Sequence, residues 1–257
     1  MITGASSGIG YELARVFAEN DFDLLINAED DLSGARQALA TEGTIVETAQ
    51  ADLSKPGGVK KLYEQIQKTG RPVDALVLNA GIGEGGDFTR DTDLEQELEV
   101  IDLNVRSTVH LSKLVLPDMV RRGEGRILLT SSIASTIPGT FQAVYNASKS
   151  FVQSFALAIR RELKDTGVTV TSLMPGPTET EFFDRAHMKD TRVGASSSKD
   201  DPAEVAQQGF DALMKGKERV VAGSLANKLM AYGGRFVPER AKAEAHRLMA
   251  EPGASRK

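Results

Sequence analysis

A single-domain α/β fold with a doubly wound parallel sheet is the class this sequence predicts, on three observations. Short apolar runs alternate with longer amphipathic stretches, the pattern of strands covered on both faces by helices. The chain opens on "MITGASSGIGYELARVFAEN", with glycines at 4, 8 and 10 where a strand would end and a helix begin. With 257 residues and 40% hydrophobic content, one large core can be buried without a second domain.

Taken in order, the first strand is the weakest element. Only Met1 and Ile2, with Thr3 at the margin, are left for it, against about 5–6 residues for a typical strand. Either the natural start lies upstream or the fold tolerates a short central strand. The three glycines after it suit a tight turn, close backbone approach to a pyrophosphate, and close packing of the helix that follows over 9–19. Further strands are expected at 22–27 (FDLLIN), 44–49 (TIVETA), 73–78 (VDALVL), 126–131 (RILLTS) and 168–174 (VTVTSLM), with a shorter one near 219–223 (RVVAG). Between them, amphipathic stretches predict helices near 31–41, 56–69, 93–120, 142–165 and 202–215. Segment 181–201 is the least regular, and its polar, small-residue end reads as a mobile loop.

Composition excludes several classes of chemistry. There is no cysteine, hence no disulfide framework, thiolate nucleophile or cysteine metal site, in keeping with a reducing compartment. His110, His187 and His246 lie far apart without ligand spacing, so no metal site is expected. No apolar run approaches the roughly 18 residues of a membrane span, and no charged-then-apolar leader opens the chain. A cytoplasmic protein is the expectation. The net charge is −5, yet residues 225–257 carry seven Lys/Arg against three Asp/Glu. That basic tail (LANKLMA, then ERAKAEAHRLMA) suits a helix docked on its own domain, a membrane surface or a partner subunit, and no nucleic-acid motif accompanies it.

The stretch "VYNASKSF" places Tyr145 four residues before Lys149, on one face of a helix. An ammonium beside a phenol favours phenolate and would draw the tyrosine below its usual pKa of about 10. Read alone, the pair also fits a partly exposed aromatic beside a snorkelling lysine. Ser132 lies just past the strand expected at 126–131, at the carboxyl edge where open α/β sheets bind ligands. A serine there also suits loop capping, and Ser131 is its nearest rival.

Thr3-Gly4-Ala5-Ser6-Ser7-Gly8-Ile9-Gly10, Asp52, Asn79-Ala80-Gly81, Asn104, Ser132, Tyr145, Lys149 and Pro175-Gly176 together, in order and spacing, resemble the short-chain dehydrogenase/reductase family. The resemblance runs from residue 1 to about 223. It also looks like a subgroup of bacterial oxidoreductases with a longer C-terminal end. It implies a Rossmann-type dinucleotide-binding and catalytic domain over 1–224, followed by a helical extension over 225–257. The implied activity is hydride transfer between a nicotinamide cofactor and a carbonyl or secondary alcohol. Tyr145 would be the general acid/base, Ser132 the hydrogen-bond donor to the substrate oxygen, and the family spacing separates Ser132 from Ser131. Lys149 would lower the tyrosine's pKa and bind the nicotinamide ribose, and the Asn104 side chain would hold a proton-relaying water. The dinucleotide would lie along Gly4, Ser6, Ser7, Gly8, Ile9 and Gly10, with Asp52 and Leu53 at the adenine. Asn79, Ala80 and Gly81 would flank its middle, Asn79 also tying strands together. Pro175, Gly176 and Thr178 or Thr180, the family pattern favouring Thr180, would shape the nicotinamide end. Asp52 also suits a helix start.

Two points of the implied function rest on particular residues. At "NAEDD", residues 27–31, Ala28 stands where many NAD-using relatives carry Asp and Glu29 where NADP-using ones often carry Arg. With Asp30 and Asp31 following and Ser7 in place of a basic residue, NAD(H) is favoured over NADP(H). These acids also suit the N-terminus of the next helix. Ile133, Ala134, Pro138, Phe141, Gln142, Phe182, Phe183 and Met188 would line a mostly apolar substrate pocket, although the two phenylalanines also suit packing of a short helix. A homo-oligomer is expected. A catalytically silent dinucleotide sensor, and an epimerase or lyase using the same cofactor, are the competing readings.

Overall fold

The computed structural model describes residues 1–40, 43–224, 227–228 and 237–256. Seven parallel strands form one sheet in the order β3-β2-β1-β4-β5-β6-β7: β1 (Ile2–Thr3), β2 (Leu24–Ala28), β3 (Val46–Gln50), β4 (Ala75–Leu78), β5 (Gly125–Thr130), β6 (Val168–Pro175) and β7 (Arg219–Ala222). The order reverses between β1 and β4, and this opens a crevice at the carboxyl ends of the strands. Every expected strand is present, within two residues at most boundaries. β1 is as short as its sequence allows and is nonetheless central, with Ile2 opposite Ile26 on one side and Val77 on the other. Met1 adds to the pairing, since Val77 N–H donates to its carbonyl at 2.9 Å.

Side-chain alternation sorts the strands between two cores. Ile26, Val77, Leu128 and Leu173 face a cluster made with Leu13, Val16 and Phe17 of α1 (Gly8–Glu19) and Val205, Phe210 and Leu213 of a later helix, Pro202–Met214. Their neighbours Leu25, Leu76, Ile127, Leu129 and Val170 face the other side. There they meet α3 (Pro56–Lys68), α5 (Thr108–Arg122) and α6 (Ala143–Glu162), through residues such as Leu62, Leu111 and Val152. A period of two on strands buried on both faces gives this sorting directly. α2 (Ser33–Leu39) closes the β2–β3 crossover.

Two expectations are corrected here. The long helix expected over 93–120 is α4 (Leu94–Ile101), a π-helical turn at Asp102–Ser107, and then α5. Nothing in a hydrophobic period of 3.6 announces such a widened turn, which is frequent at functional sites. The segment read as the least regular holds two short helices, α7 (Phe182–Arg185) and α8 (Arg192–Ala195), and returns to the body through a parallel bridge between Thr178 and Asp200. Of the extension expected at 225–257, most of LANKLMA lies outside the described residues, and ERAKAEAHRLMA forms a C-terminal helix, Glu239–Ala250. No helix among the described residues is long and apolar enough to cross a membrane.

Candidate active site

A cleft of about 550 Å³ runs along the carboxyl ends of the strands. Its lining holds Gly4, Ser6, Ser7, Gly8, Ile9, Gly10, Glu29, Asp52, Leu53, Asn79, Ala80, Gly81, Ser132, Tyr145, Lys149, Pro175, Gly176, Thr178 and Thr180. Of the expected catalytic and cofactor-binding residues, Asn104 alone is absent from the lining. At one end the turn after β1 leads into α1, whose first residues carry no side-chain cap, leaving its N–H groups for an anionic ligand. A Cβ on Gly10 would stand 1.9 Å from the Gly4 carbonyl oxygen, so this turn closes only around a glycine. Asn79 ties three strands: its Nδ2 donates to the carbonyls of Thr3 and Gly4 (both 3.3 Å), and its Oδ1 accepts from Thr130 Oγ1 at 3.2 Å. Asp52 Oδ1 accepts from Ser54 N and Oγ at 2.8 and 2.6 Å, a local turn, while α3 begins only at Pro56. Glu29 is pushed above the usual carboxylate range by burial and then by Asp30, Asp52 and Glu99, with Arg185 pulling the other way.

Farther along, Ser132, Tyr145 and Lys149 converge. Ser132 caps the short turn after β5, its Oγ accepting from Ala134 N at 3.1 Å and donating to the Pro175 carbonyl at 3.4 Å. Ser131 points elsewhere, donating to the Lys149 carbonyl at 2.9 Å, so geometry separates the two serines. Lys149 Nζ donates to the Thr130 carbonyl at 3.1 Å and sits 5.8 Å from the centre of the Tyr145 ring. A Cβ on Gly81 would come within 3.0 Å of both Lys149 Nζ and Asn104 Oδ1. That glycine lets the strand end pass between them.

Electrostatics here differ from the expectation of an ammonium drawing the phenol down. Burial pushes Tyr145 up to about 12, with Ser132 the group that lowers it, and burial pushes Lys149 down to about 8. Both charged forms lose hydration in the same wall, which outweighs their mutual influence. Asn104 is fixed by contacts of its own. Its carboxamide brackets Ile82, donating to the carbonyl at 2.9 Å and accepting from the N–H at 3.0 Å, and its second N–H goes to Ser148 Oγ at 2.9 Å. With both N–H protons used, the side chain fixes the loop after β4.

The far end of the cleft is lined by Ile133, Ala134, Gln142, Phe182 and Phe183, as expected, whereas Pro138, Phe141 and Met188 are absent from the lining. Met188 is buried against Gly85, whose added Cβ would meet its Cγ at 2.5 Å, and Phe141 packs with it in a satellite cluster. Phe182 stands 5.1 Å from the Tyr145 ring and 5.4 Å from Phe183, so the two phenylalanines both pack the short helix and line the cleft. The C-terminal helix supplies a wall the sequence reading missed, through Ala241, Lys242, Ala245, His246 and Met249. It is docked on its own domain: His246 Nδ1 donates to the Thr140 carbonyl (2.8 Å), its Nε2 faces Asn146 Nδ2 at 3.5 Å, and Thr140 Oγ1 donates to the Ala243 carbonyl (2.9 Å). Burial lowers the pKa of His246. The spacing of 241, 245 and 249 marks one helical face, but no local signal says what that face covers. Among the described residues no group of His, Cys, Asp and Glu is arranged to hold a metal.

A helix N-terminus and a glycine cradle at one end of a crevice, with a serine, tyrosine and lysine at the other, define a dinucleotide-dependent α/β enzyme. The comparisons give it a family. The short chain dehydrogenase family matches residues 1–190, and the chain belongs to it. The mouse dehydrogenase/reductase SDR family member 7B is 31% identical over 252 residues, covering 93% of this chain and 77% of the relative. Sulfoacetaldehyde reductase 2 of Chromohalobacter salexigens is 35% identical over 185 residues, 71% of this chain and 73% of its own length. Among solved structures, a short-chain dehydrogenase from Sphingobium yanoikuyae in complex with NADPH superposes with a TM-score of 0.81 at 28% identity, covering 91% of each chain. The 3-ketoacyl-(acyl-carrier-protein) reductase of Brucella melitensis complexed with NADH gives 0.74 at 25%, covering 86% of this chain and 93% of the other. The protein is an NAD(P)-dependent oxidoreductase.

Proposed function

We propose that the protein reduces a moderately apolar ketone or aldehyde, or oxidises the corresponding alcohol, with Tyr145, Ser132 and Lys149 as catalytic residues and Asn104 as their support. The observation that carries this reading is the convergence of Ser132, Tyr145 and Lys149 in the same cleft as the α1 N-terminus. The nicotinamide supplies or accepts the hydride when bound. Ser132 donates to the substrate oxygen as charge grows on it, and Tyr145, held in its protonated form by burial, delivers the proton. Lys149 is fixed by the Thr130 carbonyl where an ammonium reaches a ribose hydroxyl. Asn104 acts by clamping Ile82 and hence the loop on which Gly81 lies.

The cleft fits a dinucleotide on two counts: the uncapped start of α1, and the tight turn before it, which closes only because Gly10 carries no Cβ. Gly4, Ser6, Ser7, Gly8, Ile9 and Gly10 would hold the pyrophosphate, Asp52 and Leu53 the adenine, and Pro175, Gly176, Thr178 and Thr180 the nicotinamide end. Glu29 would accept from the adenosine ribose, and the carboxylates of Glu29, Asp30 and Asp31 favour NAD(H) over NADP(H). Exposed Leu94, Leu98, Ile101 and Val109 on α4 and α5 support self-association. A panel of ketones, aldehydes and alcohols, assayed with both cofactors by absorbance of the reduced nicotinamide, tests the reading. Turnover of apolar carbonyls is expected, and binding without turnover on any substrate would favour a sensor instead.

A further inference from the structure

The NAEDD segment contains no arginine, but the fold brings one to it. Arg185, on α7, reaches across the cleft mouth from 155 residues away, its Nη2 lying 3.3 Å from Asp30 Oδ2 and 3.0 Å from Glu181 Oε2. It is the one arginine among the described residues that line the cleft, at the same end as Asn27, Ala28, Glu29 and Asp30. Lys149 and Lys242 belong to the other end, and Arg36 lies with Asp31 in a separate hollow. Asp31 is engaged locally, by the backbone N–H and hydroxyl of Ser33. Both members of the Arg185–Asp30 pair are half exposed, at 48% each, so exchange of partners carries little desolvation cost.

We propose that Asp30 sequesters Arg185, and that this cross-cleft pair sets the protein's tolerance for a 2′-phosphate on the adenosine ribose. The inference rests on the proposed placement of that ribose at the end of β2. A guanidinium meets phosphate oxygens through a two-pronged fork and is the natural counter-cation for a group carrying nearly two charges. At rest the Nη2 of Arg185 is already committed to two carboxylates, those of Asp30 and Glu181. A 2′-phosphate has to displace Asp30 from Arg185 and then sit beside the displaced carboxylate. A plain ribose asks neither. α7, not the β2 end, thus holds the latent phosphate-binding group, and Asp30 keeps it turned to the carboxylates.

The test is direct titration of NADPH and NADH, followed by nucleotide fluorescence at fixed ionic strength, on the unmodified protein and on Asp30→Asn, Asp31→Asn, Arg185→Gln and Asp30→Asn/Arg185→Gln. Freeing Arg185 of its cross-cleft partner in Asp30→Asn, with Glu181 still beside it, should tighten NADPH binding about tenfold, the scale of one charge-assisted contact at a half-exposed site, and leave NADH within about threefold. Asp31→Asn, which removes a charge but frees no arginine, should gain about twofold. Adding Arg185→Gln should erase the Asp30→Asn gain. The proposal is overturned if Asp30→Asn leaves NADPH affinity unchanged, if the gain survives loss of Arg185, or if Asp31→Asn matches it, because simple charge removal then suffices. Failure of the ribose placement shows separately: Glu29→Gln would leave both affinities unaltered, and the inference would fall with it.

Discussion

The two ends of the cleft are assembled in different ways. The cofactor end is made of strand-end turns, Gly4–Gly10, Asn27–Asp30, Ala51–Leu53 and Asn79–Gly81, each leaving a strand of the half-sheet around β1 and presenting mainly backbone, small side chains and a few carboxylates. The substrate end is made of side chains from the β5–α6 connection, from α7 and from the C-terminal helix; the first and last lie about 100 residues apart and meet through the hydrogen bonds of His246 and Thr140, with Ala250 packed against Phe183. A backbone cradle tolerates little change and is written locally. A wall of side chains can be rebuilt one residue at a time without disturbing it.

Variants at each end should therefore separate binding of cofactor from handling of substrate. The largest effect is expected from Tyr145→Phe, which keeps the ring against Phe182 but removes the proton donor: turnover should fall by about 100-fold or more while NADH affinity stays within about threefold. Near-normal turnover would remove Tyr145 from the chemistry. Gly10→Ala strikes the cradle, where the new methyl has no room beside the Gly4 carbonyl. Overpacking of this kind costs about 1–3 kcal/mol, so the melting temperature should drop and NADH affinity weaken together. An unchanged melting curve would mean the turn can yield.

His246→Ala removes the pin of the C-terminal helix. With about 1 kcal/mol per lost hydrogen bond, KM for the carbonyl should rise by roughly three- to tenfold while NADH affinity holds; equal loss of both would show that the two ends are not independent. The smallest effect is a pH response of that helix. Because the docked His246 has a pKa below its ordinary value of 6.5, the unfolded form binds the proton more readily. Its contribution is complete above about pH 6.5 and is lost as pH falls through the lowered value. Amide exchange over 239–250, corrected for its intrinsic pH dependence, should quicken in that window and remain flat in His246→Gln.

How much of this was legible follows the same division. The glycine turn, Asn79, Ser132, Tyr145 and Lys149 were readable through the ordered series that resembles the short-chain dehydrogenase/reductase family, and all of them line one cleft. The role of Asn104 was half readable. Its position was found, but its carboxamide turned out to clamp Ile82, a residue 22 places away across a π turn that no periodicity reveals. Arg185 escaped altogether, since an arginine in an irregular segment carries no mark of the carboxylate it will meet.

By itself the sequence determined the order of elements and the parallel sheet, since periodicity, glycine placement and local spacing act over a few residues of backbone. The tertiary structure alone decided how the reactive groups are charged, which residues close the substrate end, and which cation stands beside the NAEDD carboxylates. Burial, desolvation and cross-cleft pairing belong to surfaces brought together from distant parts of the chain, and they come into being only when the sheet and its helices have packed.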